Sequence, residues 1–205
     1  MSAALRIILC DPHLPIVEAW QCYFTGLPDV SVVCDSVFTL EADALVSPSN
    51  SFGRMDGGLD AQIVEFFGEE IEAEVQQVIR DRHDGELLVG QAEIIITHAP
   101  QFPFLVVAPT LRVPQNISRT VNPYLAFRAA LRAVLEFNSL HGGLIQTLLV
   151  PGLGTDTGFM PPLRAAYEVV LRGASPNLDI SLDAGADSDD KSKVRASEAQ
   201  PPESV

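Results

Sequence analysis

The sequence predicts an α/β protein in which a β-sheet lies between two layers of helices, a three-layer α/β/α sandwich. Short apolar runs rich in β-branched residues alternate with stretches of helical periodicity, and two of these runs lead directly into glycine-bearing loops. In folds of this kind the loops that follow parallel strands meet at the carboxyl edge of the sheet, where ligands bind. We therefore expect the two loops to lie together.

Six segments have the composition of strands, because apolar and β-branched residues are flanked in each by turn-forming residues. They are Arg6–Cys10, Val30–Cys34, Ala42–Val46, Gln91–Thr97, Phe104–Ala108 and Thr147–Pro151.

Four segments between the predicted strands have helical patterns. They are Pro15–Thr25, Ala61–Arg82, Pro123–His141 and Pro162–Arg172. In the second, apolar residues recur every three or four positions over residues 63–79, which predicts one buried face. The third is predicted to begin with Asn122 as its N-cap and Pro123 at the first helical position, and to end at Gly142 and Gly143.

The first glycine loop lies within Leu45–Ile63, LVSPSNSFGRMDGGLDAQI. Pro48 and the polar residues around it end the strand, and Gly57 with Gly58 lets the backbone approach a ligand closely. Backbone amides and the positive end of the following helix suit a diphosphate without any lysine. A purely structural turn explains a single loop of this kind equally well.

The second loop has the same organisation. Residues 147–173, TLLVPGLGTDTGFMPPLRAAYEVVLRG, again give a strand, a glycine loop and a helix. Glycines alternate with threonines, so that both amides and hydroxyls are available, and two prolines suit the first turn of the next helix. Two such loops indicate a phosphate site more strongly than either does alone.

These loops, in this order, resemble those of the macrodomain family, which binds ADP-ribose. Three segments carry the resemblance: DALVSPSNSFGRMDGGLDAQI from Asp43, FLVVAPTLRVP from Phe104, and LLVPGLGTDTGFMPPLRAA from Leu148. It extends from about Leu5 to Gly173. The resemblance implies a macrodomain-like fold with a mixed, centrally parallel sheet.

In hydrolytic macrodomains an asparagine and an aspartate ten positions apart lie near the distal ribose, and Asn50 and Asp60 have that spacing here. The resemblance implies that Asp60 orients or deprotonates a water, while Asn50 hydrogen-bonds a ribose hydroxyl. In the alternative interpretation Asp60 serves chiefly as a helix cap, or binds ribose without catalysis.

Further positions carry over from the family as ligand contacts. They are Asp35, Ser49, Ser51, Gly57, Gly58, Leu59, Gly152, Gly154, Thr155, Asp156, Thr157, Gly158 and Phe159. Asp35 resembles the aspartate that accepts a hydrogen bond from the adenine amino group, although a solvated turn residue is the alternative. Phe159 resembles an aromatic residue near the distal ribose, although it could instead anchor the loop.

The chain also departs from the family pattern. The usual asparagine-alanine-alanine-asparagine is replaced by residues 47–50, SPSN, and the usual four glycines by residues 54–58, RMDGG. Asp156 places a negative charge within the second loop, where it would repel a diphosphate unless it is turned away. Lysine-dependent removal of ADP-ribose from DNA bases is excluded, because the chain's lysines, Lys191 and Lys193, lie outside the matched region.

Composition limits the remaining possibilities. With 205 residues and 47% hydrophobic content the chain can form one sizeable core, and its net charge of −14 disfavours general nucleic-acid binding. We expect one domain over 1–173 and a disordered acidic tail over 174–205. The sequence contains no apolar run of about 18 residues, so we expect no membrane span. Cys10, Cys22 and Cys34 are expected to be buried free thiols, consistent with a cytoplasmic location.

The sequence therefore favours a monomer that binds ADP-ribose, or an ADP-ribosylated protein, without a cofactor or metal. It either hydrolyses ADP-ribosyl esters, namely mono-ADP-ribosylated acidic side chains or O-acetyl-ADP-ribose, or acts as a reader that binds without turnover. A Rossmann-like nucleotide protein of another kind is the weakest alternative. A dinucleotide-dependent dehydrogenase would need a GxGxxG motif after its first strand, whereas LCDPHLP at that position contains no glycine.

Overall fold

Residues 4–170 are described by a computed structural model, and within them six strands form one sheet. The strands are β1 (Arg6–Cys10), β2 (Val30–Val33), β3 (Ala44–Ser47), β4 (Glu93–Ile96), β5 (Phe104–Val107) and β6 (Thr147–Val150). Their spatial order is β2-β1-β6-β3-β5-β4, and every neighbouring pair is parallel except β4 with β5. The predicted mixed, centrally parallel sheet is confirmed.

Helices cover both faces of this sheet. The α-helices in the described part of the chain are α1 (Leu14–Phe24), α2 (Gly58–Phe67), α3 (Glu70–His83), α4 (Asn122–His141) and α5 (Pro162–Val170), and Val37–Thr39 forms a short 3₁₀-helix. Buried side chains of α1, α4 and α5, among them Trp20 and Phe127, form the core on one face. Those of α2 and α3, among them Ile63 and Val75, form the core on the other. Every residue of β3 and β6 is buried, which explains their nearly continuous apolar sequences.

The single helix predicted over Ala61–Arg82 is wrong, because Gly68 divides it into α2 and α3. Gly68 has φ +100 and its amide donates to the carbonyl of Val64 at 2.8 Å, which closes α2. The apolar periodicity continues through the break because both helices pack on the same face of the sheet. In addition, α2 begins at Gly58 and so places Asp60 in its first turn.

The predicted cap of α4 is also wrong. Val121 is the N-cap, while Asn122 lies inside the helix and donates its side-chain amide to the carbonyl of Thr110 at 2.8 Å. The Asn122 side chain thus makes a tertiary contact in place of the cap that its local propensity predicted. The predicted end at Gly142 is confirmed, since this residue closes the helix with φ +72.

The cysteine prediction is correct in part. All three thiols are free, but only Cys10 is buried, whereas Cys22 and Cys34 are exposed. Cys22 lies on α1, and Cys34 directly follows the edge strand β2. The tail predicted over 174–205 lies outside the described residues. No helix within residues 4–170 is long and apolar enough to cross a membrane.

Candidate functional site

The two glycine loops meet at the carboxyl edge of the sheet, because β3 and β6 are adjacent and parallel. Together they line a cavity of about 470 Å³. The predicted site residues that line it are Ser49, Asn50, Gly57, Gly58, Leu59, Asp60, Gly152, Gly154, Thr155, Asp156, Thr157 and Gly158. The two halves of the predicted site, about a hundred residues apart in sequence, are thus one site in space.

Three predicted residues do not line the cavity. Asp35 is exposed and its carboxylate accepts the amide of Ser36 at 2.7 Å, while Ser36 and its neighbour Val37 contribute to the wall instead. Ser51 is 1% exposed, and its hydroxyl has no partner among the described residues. Phe159 follows the lining residue Gly158 with φ +53 and is 68% exposed.

The N-terminus of α2 forms one wall of the cavity. The first amides of any α-helix have no intrahelical partner, and here the N-cap, Gly57, has no side chain to bond them. These amides and the positive end of the helix dipole therefore lie at the wall of the cavity. Gly58 has φ +56, and a Cβ atom there would lie 2.8 Å from Oδ2 of Asp156 in the other loop. The positive φ therefore favours glycine at this position, and a side chain there would also displace the Asp156 carboxylate.

The second loop forms the opposite wall. Neither Thr155 nor Thr157 hydrogen-bonds to another described residue, so their hydroxyls and amides are available to a ligand. Gly154 has φ +70 and packs against Ile117, and its carbonyl accepts the amide of Met160 at 2.9 Å. Gly154 thus holds the second loop in place, while the hydroxyls and amides of Thr155 and Thr157 remain unpaired in the described part of the chain.

Asn50 shapes the first loop. Its side-chain amide donates to the carbonyl of Arg54 at 2.7 Å, and its Oδ1 accepts the amides of Phe52 at 3.0 Å and Arg54 at 3.3 Å. These contacts fold residues 50–54 back on themselves. The ribose contact predicted for Asn50 stays a prediction, since its side chain is already engaged by the backbone.

Asp60 is a buried carboxyl group in the wall of the cavity and is 8% exposed. Its Oδ1 accepts a hydrogen bond from the Ser47 hydroxyl at 2.6 Å. Burial raises the pKa of Asp60 to about 7, the Ser47 hydrogen bond opposes this, and the charges of Glu72 and Asp56 add to it. Asp60 does not cap α2 through a hydrogen bond, because its carboxylate bonds Ser47 on β3.

Sequence analysis missed Asp11 and His13, which line the cavity at the end of β1. Asp11 is 8% exposed, and its Oδ1 lies 2.8 Å from Nδ1 of His13. Its Oδ2 accepts the amide of Gly152 at 3.2 Å, which connects β1 to the second loop. A signal was present, because a carboxylate directly after a parallel strand lies at the same edge of the sheet as the glycine loops.

The cavity is acidic. Its lining includes Asp11, Asp56, Asp60 and Asp156, and lysine is absent from it. Arg54 also lines it, but its guanidinium pairs with Asp56 at 3.0 Å and is well exposed. An anion bound here would therefore be held mainly by backbone amides and hydroxyls.

The fold and this pair of loops define a macrodomain. The Macro domain family model matches residues 46–169, and the chain belongs to that family. An uncharacterized protein of Aquifex aeolicus is 32% identical over 142 residues, which cover 69% of this chain and 79% of that protein.

Solved structures give the same fold at low sequence identity. The macrodomain of Mycobacterium tuberculosis DarG is 19% identical with a TM-score of 0.56, and the match covers 67% of this chain and 84% of that one. The macrodomain of Oceanobacillus iheyensis, solved with ADP, is 19% identical with a TM-score of 0.55, over 66% of this chain and 70% of that one. At this identity the likeness establishes the fold alone.

Proposed function

We propose that the protein binds ADP-ribose in the cavity between the two loops. The observation that carries this proposal is the convergence of unpaired donors across the cavity: the first amides of α2 on one side, and Thr155 with Thr157 on the other. This arrangement suits a diphosphate, and it does so in a lysine-free pocket. The Oceanobacillus macrodomain of the same fold was solved with ADP, which is ADP-ribose without the distal ribose.

Calorimetric titration tests the binding proposal. We expect ADP-ribose to bind with a Kd in the micromolar range, about −8 kcal/mol, and NAD to bind much more weakly. AMP, which lacks the diphosphate, serves as the reference ligand. Equal affinity for all three ligands would contradict the proposal, because a site built around the diphosphate and distal ribose must distinguish them.

We further propose that the protein hydrolyses ADP-ribosyl esters, with Asp60 as the general base. Asp60 takes a proton from a water molecule, whose oxygen attacks the ester carbonyl or the anomeric carbon. The carbon–oxygen bond of the ester then breaks, and Asp60 gives the proton to the oxygen that leaves. ADP-ribose and a carboxylic acid are released, and the carboxylate of Asp60 is regenerated. Two observations support this role: Asp60 lines the cavity, and its pKa of about 7 lies near a working pH, where a general base is most effective.

A reader that binds ADP-ribose without turnover is the second candidate, and one observation favours it. The side chain of Asn50, expected to hold the distal ribose, already makes three hydrogen bonds to the backbone of residues 52–54. If it keeps them in the complex, the ribose is held less firmly for attack.

A turnover assay separates the two candidates. Wild type, Asp60→Ala and Asn50→Ala are incubated with a glutamate-ADP-ribosylated protein, and released ADP-ribose is quantified. For a hydrolase we expect Asp60→Ala to lose activity by at least about a hundredfold. Asp81→Asn, an exposed change on α3, is the control and should behave as wild type. If wild type and Asp60→Ala release ADP-ribose equally slowly, the hydrolase proposal is refuted, and binding in the calorimetric titration then identifies a reader.

We also propose a cytoplasmic location, supported by the three free thiols. Fractionation of cells expressing the full chain would test it, and recovery outside the cytoplasmic fraction would contradict it.

A further inference from the structure

Ser47 lies directly behind the cavity and does not line it. It is the last residue of β3 and is fully buried, at 0% exposure. Its hydroxyl donates to Oδ1 of Asp60 at 2.6 Å, across 13 positions of sequence. This hydrogen bond connects the end of β3 to the first turn of α2.

We propose that Ser47 is the positioning residue for Asp60, a role that rests on the proposed hydrolase function. Holding Oδ1 from behind fixes the carboxylate plane and leaves Oδ2 to take the proton of a water in the cavity. Ser47 keeps its own proton throughout the step. It therefore acts only through Asp60 and does not touch the substrate.

The surroundings of Asp60 make this hydrogen bond important for its ionisation. Among the described residues, the charged groups that influence the carboxyl are Asp56 in the first loop and Glu72 on α3, and both favour its protonated form. Burial acts in the same direction. The Ser47 hydroxyl opposes these effects by bonding the carboxylate directly, so its removal should extend the protonated form to higher pH.

The test compares Ser47→Ala with Ser47→Thr, which keeps the hydroxyl. The primary readout is the titration midpoint of the Asp60 carboxyl carbon, followed by NMR in the free protein. The second is the pH profile of kcat for ester hydrolysis. We expect the Ser47→Ala midpoint to rise by about one pH unit and kcat at pH 7 to fall about fivefold, with recovery at higher pH. Ser47→Thr should restore the wild-type midpoint.

Thr147→Val provides the matched control. Thr147 is also a buried hydroxyl residue on a central strand, but it lies at the opposite end of the sheet and contacts Arg6. Its removal should leave the Asp60 midpoint unchanged. If Ser47→Ala fails to fold, Ser47→Cys, which has nearly the same shape but is a weak donor, replaces it with the same expected rise.

The outcomes distinguish this inference from the proposed function. An unchanged midpoint in Ser47→Ala, or an equal loss of kcat at every pH, overturns the positioning role even if the wild type is an active hydrolase. A shifted midpoint in a protein that binds ADP-ribose without turnover retains the Ser47–Asp60 coupling but overturns its catalytic purpose. No binding of ADP-ribose at all refutes the proposed function itself.

Discussion

Replacing Asp60 with asparagine should stabilise the folded protein, and more so at high pH. The pKa of this carboxyl is about 7 in the folded protein, against 3.8 as its ordinary value. The folded state therefore binds the proton more tightly, and stability is lost as the pH rises from about 4 to about 7. Since a pKa difference of one is worth about 1.4 kcal/mol, the full cost of ionisation is about 4 kcal/mol.

The cost depends on pH in a way that the experiment can resolve. At pH 5 the carboxyl is ionised in the unfolded chain but still protonated in the folded protein, which costs about 2 kcal/mol; at pH 8 the cost approaches the full 4 kcal/mol. Asparagine keeps an oxygen that can accept the Ser47 hydrogen bond and does not ionise. We therefore expect Asp60→Asn to be more stable than wild type, by a margin about 2 kcal/mol larger at pH 8 than at pH 5.

Urea denaturation at the two pH values measures this margin, with Asp81→Asn as an exposed control of the same chemistry. The difference in free energy of unfolding between Asp81→Asn and wild type should be the same at both pH values. A margin for Asp60→Asn that does not grow with pH would refute the reasoning, because it would mean that Asp60 ionises in the folded protein as easily as in the unfolded chain.

Three further predictions concern the loops. Asp156→Asn should strengthen ADP-ribose binding about three- to tenfold at low salt, and calorimetry in high salt should show this gain shrinking because it is electrostatic. Gly58→Ala should weaken binding about tenfold, because the new methyl meets Asp156 at a positive φ; titration showing wild-type affinity would mean that the loops can separate freely. Asn50→Ala should lower the free energy of unfolding by about 1–3 kcal/mol, seen in urea, because it removes three hydrogen bonds to the first loop.

The strands could be predicted from the sequence because their signal is local. The segment Arg6–Cys10 was predicted with its observed bounds, and the other strands fall within two residues of their predicted bounds. The β-branched composition and the turn residues that flank each run depend only on neighbouring positions. The break between α2 and α3 at Gly68 was not predicted. Apolar periodicity indicates which residues face the core, but it does not indicate where the backbone changes direction.

The candidate site could be predicted only in part. The glycine loops were recognisable because a loop that binds through its backbone needs glycines at fixed spacing. The partners of the side chains were not recognisable: nothing local indicates that Asn50 bonds its own loop, or that Asp11 reaches the amide of Gly152. Each of these contacts depends on where a side chain points after the chain has folded.

The sequence by itself determined the alternation of strands and helices, the two glycine loops and the acidic, lysine-poor character of the chain, since these follow from residue type and spacing. Tertiary structure alone decided the environment of the Asp60 carboxyl group. It buries Asp60, brings it within 2.6 Å of Ser47 and sets it near Asp56 and Glu72, and so moves its pKa to about 7. The physical reason is that a carboxyl's ionisation depends on its solvation and on nearby charges, which only the packed fold brings together.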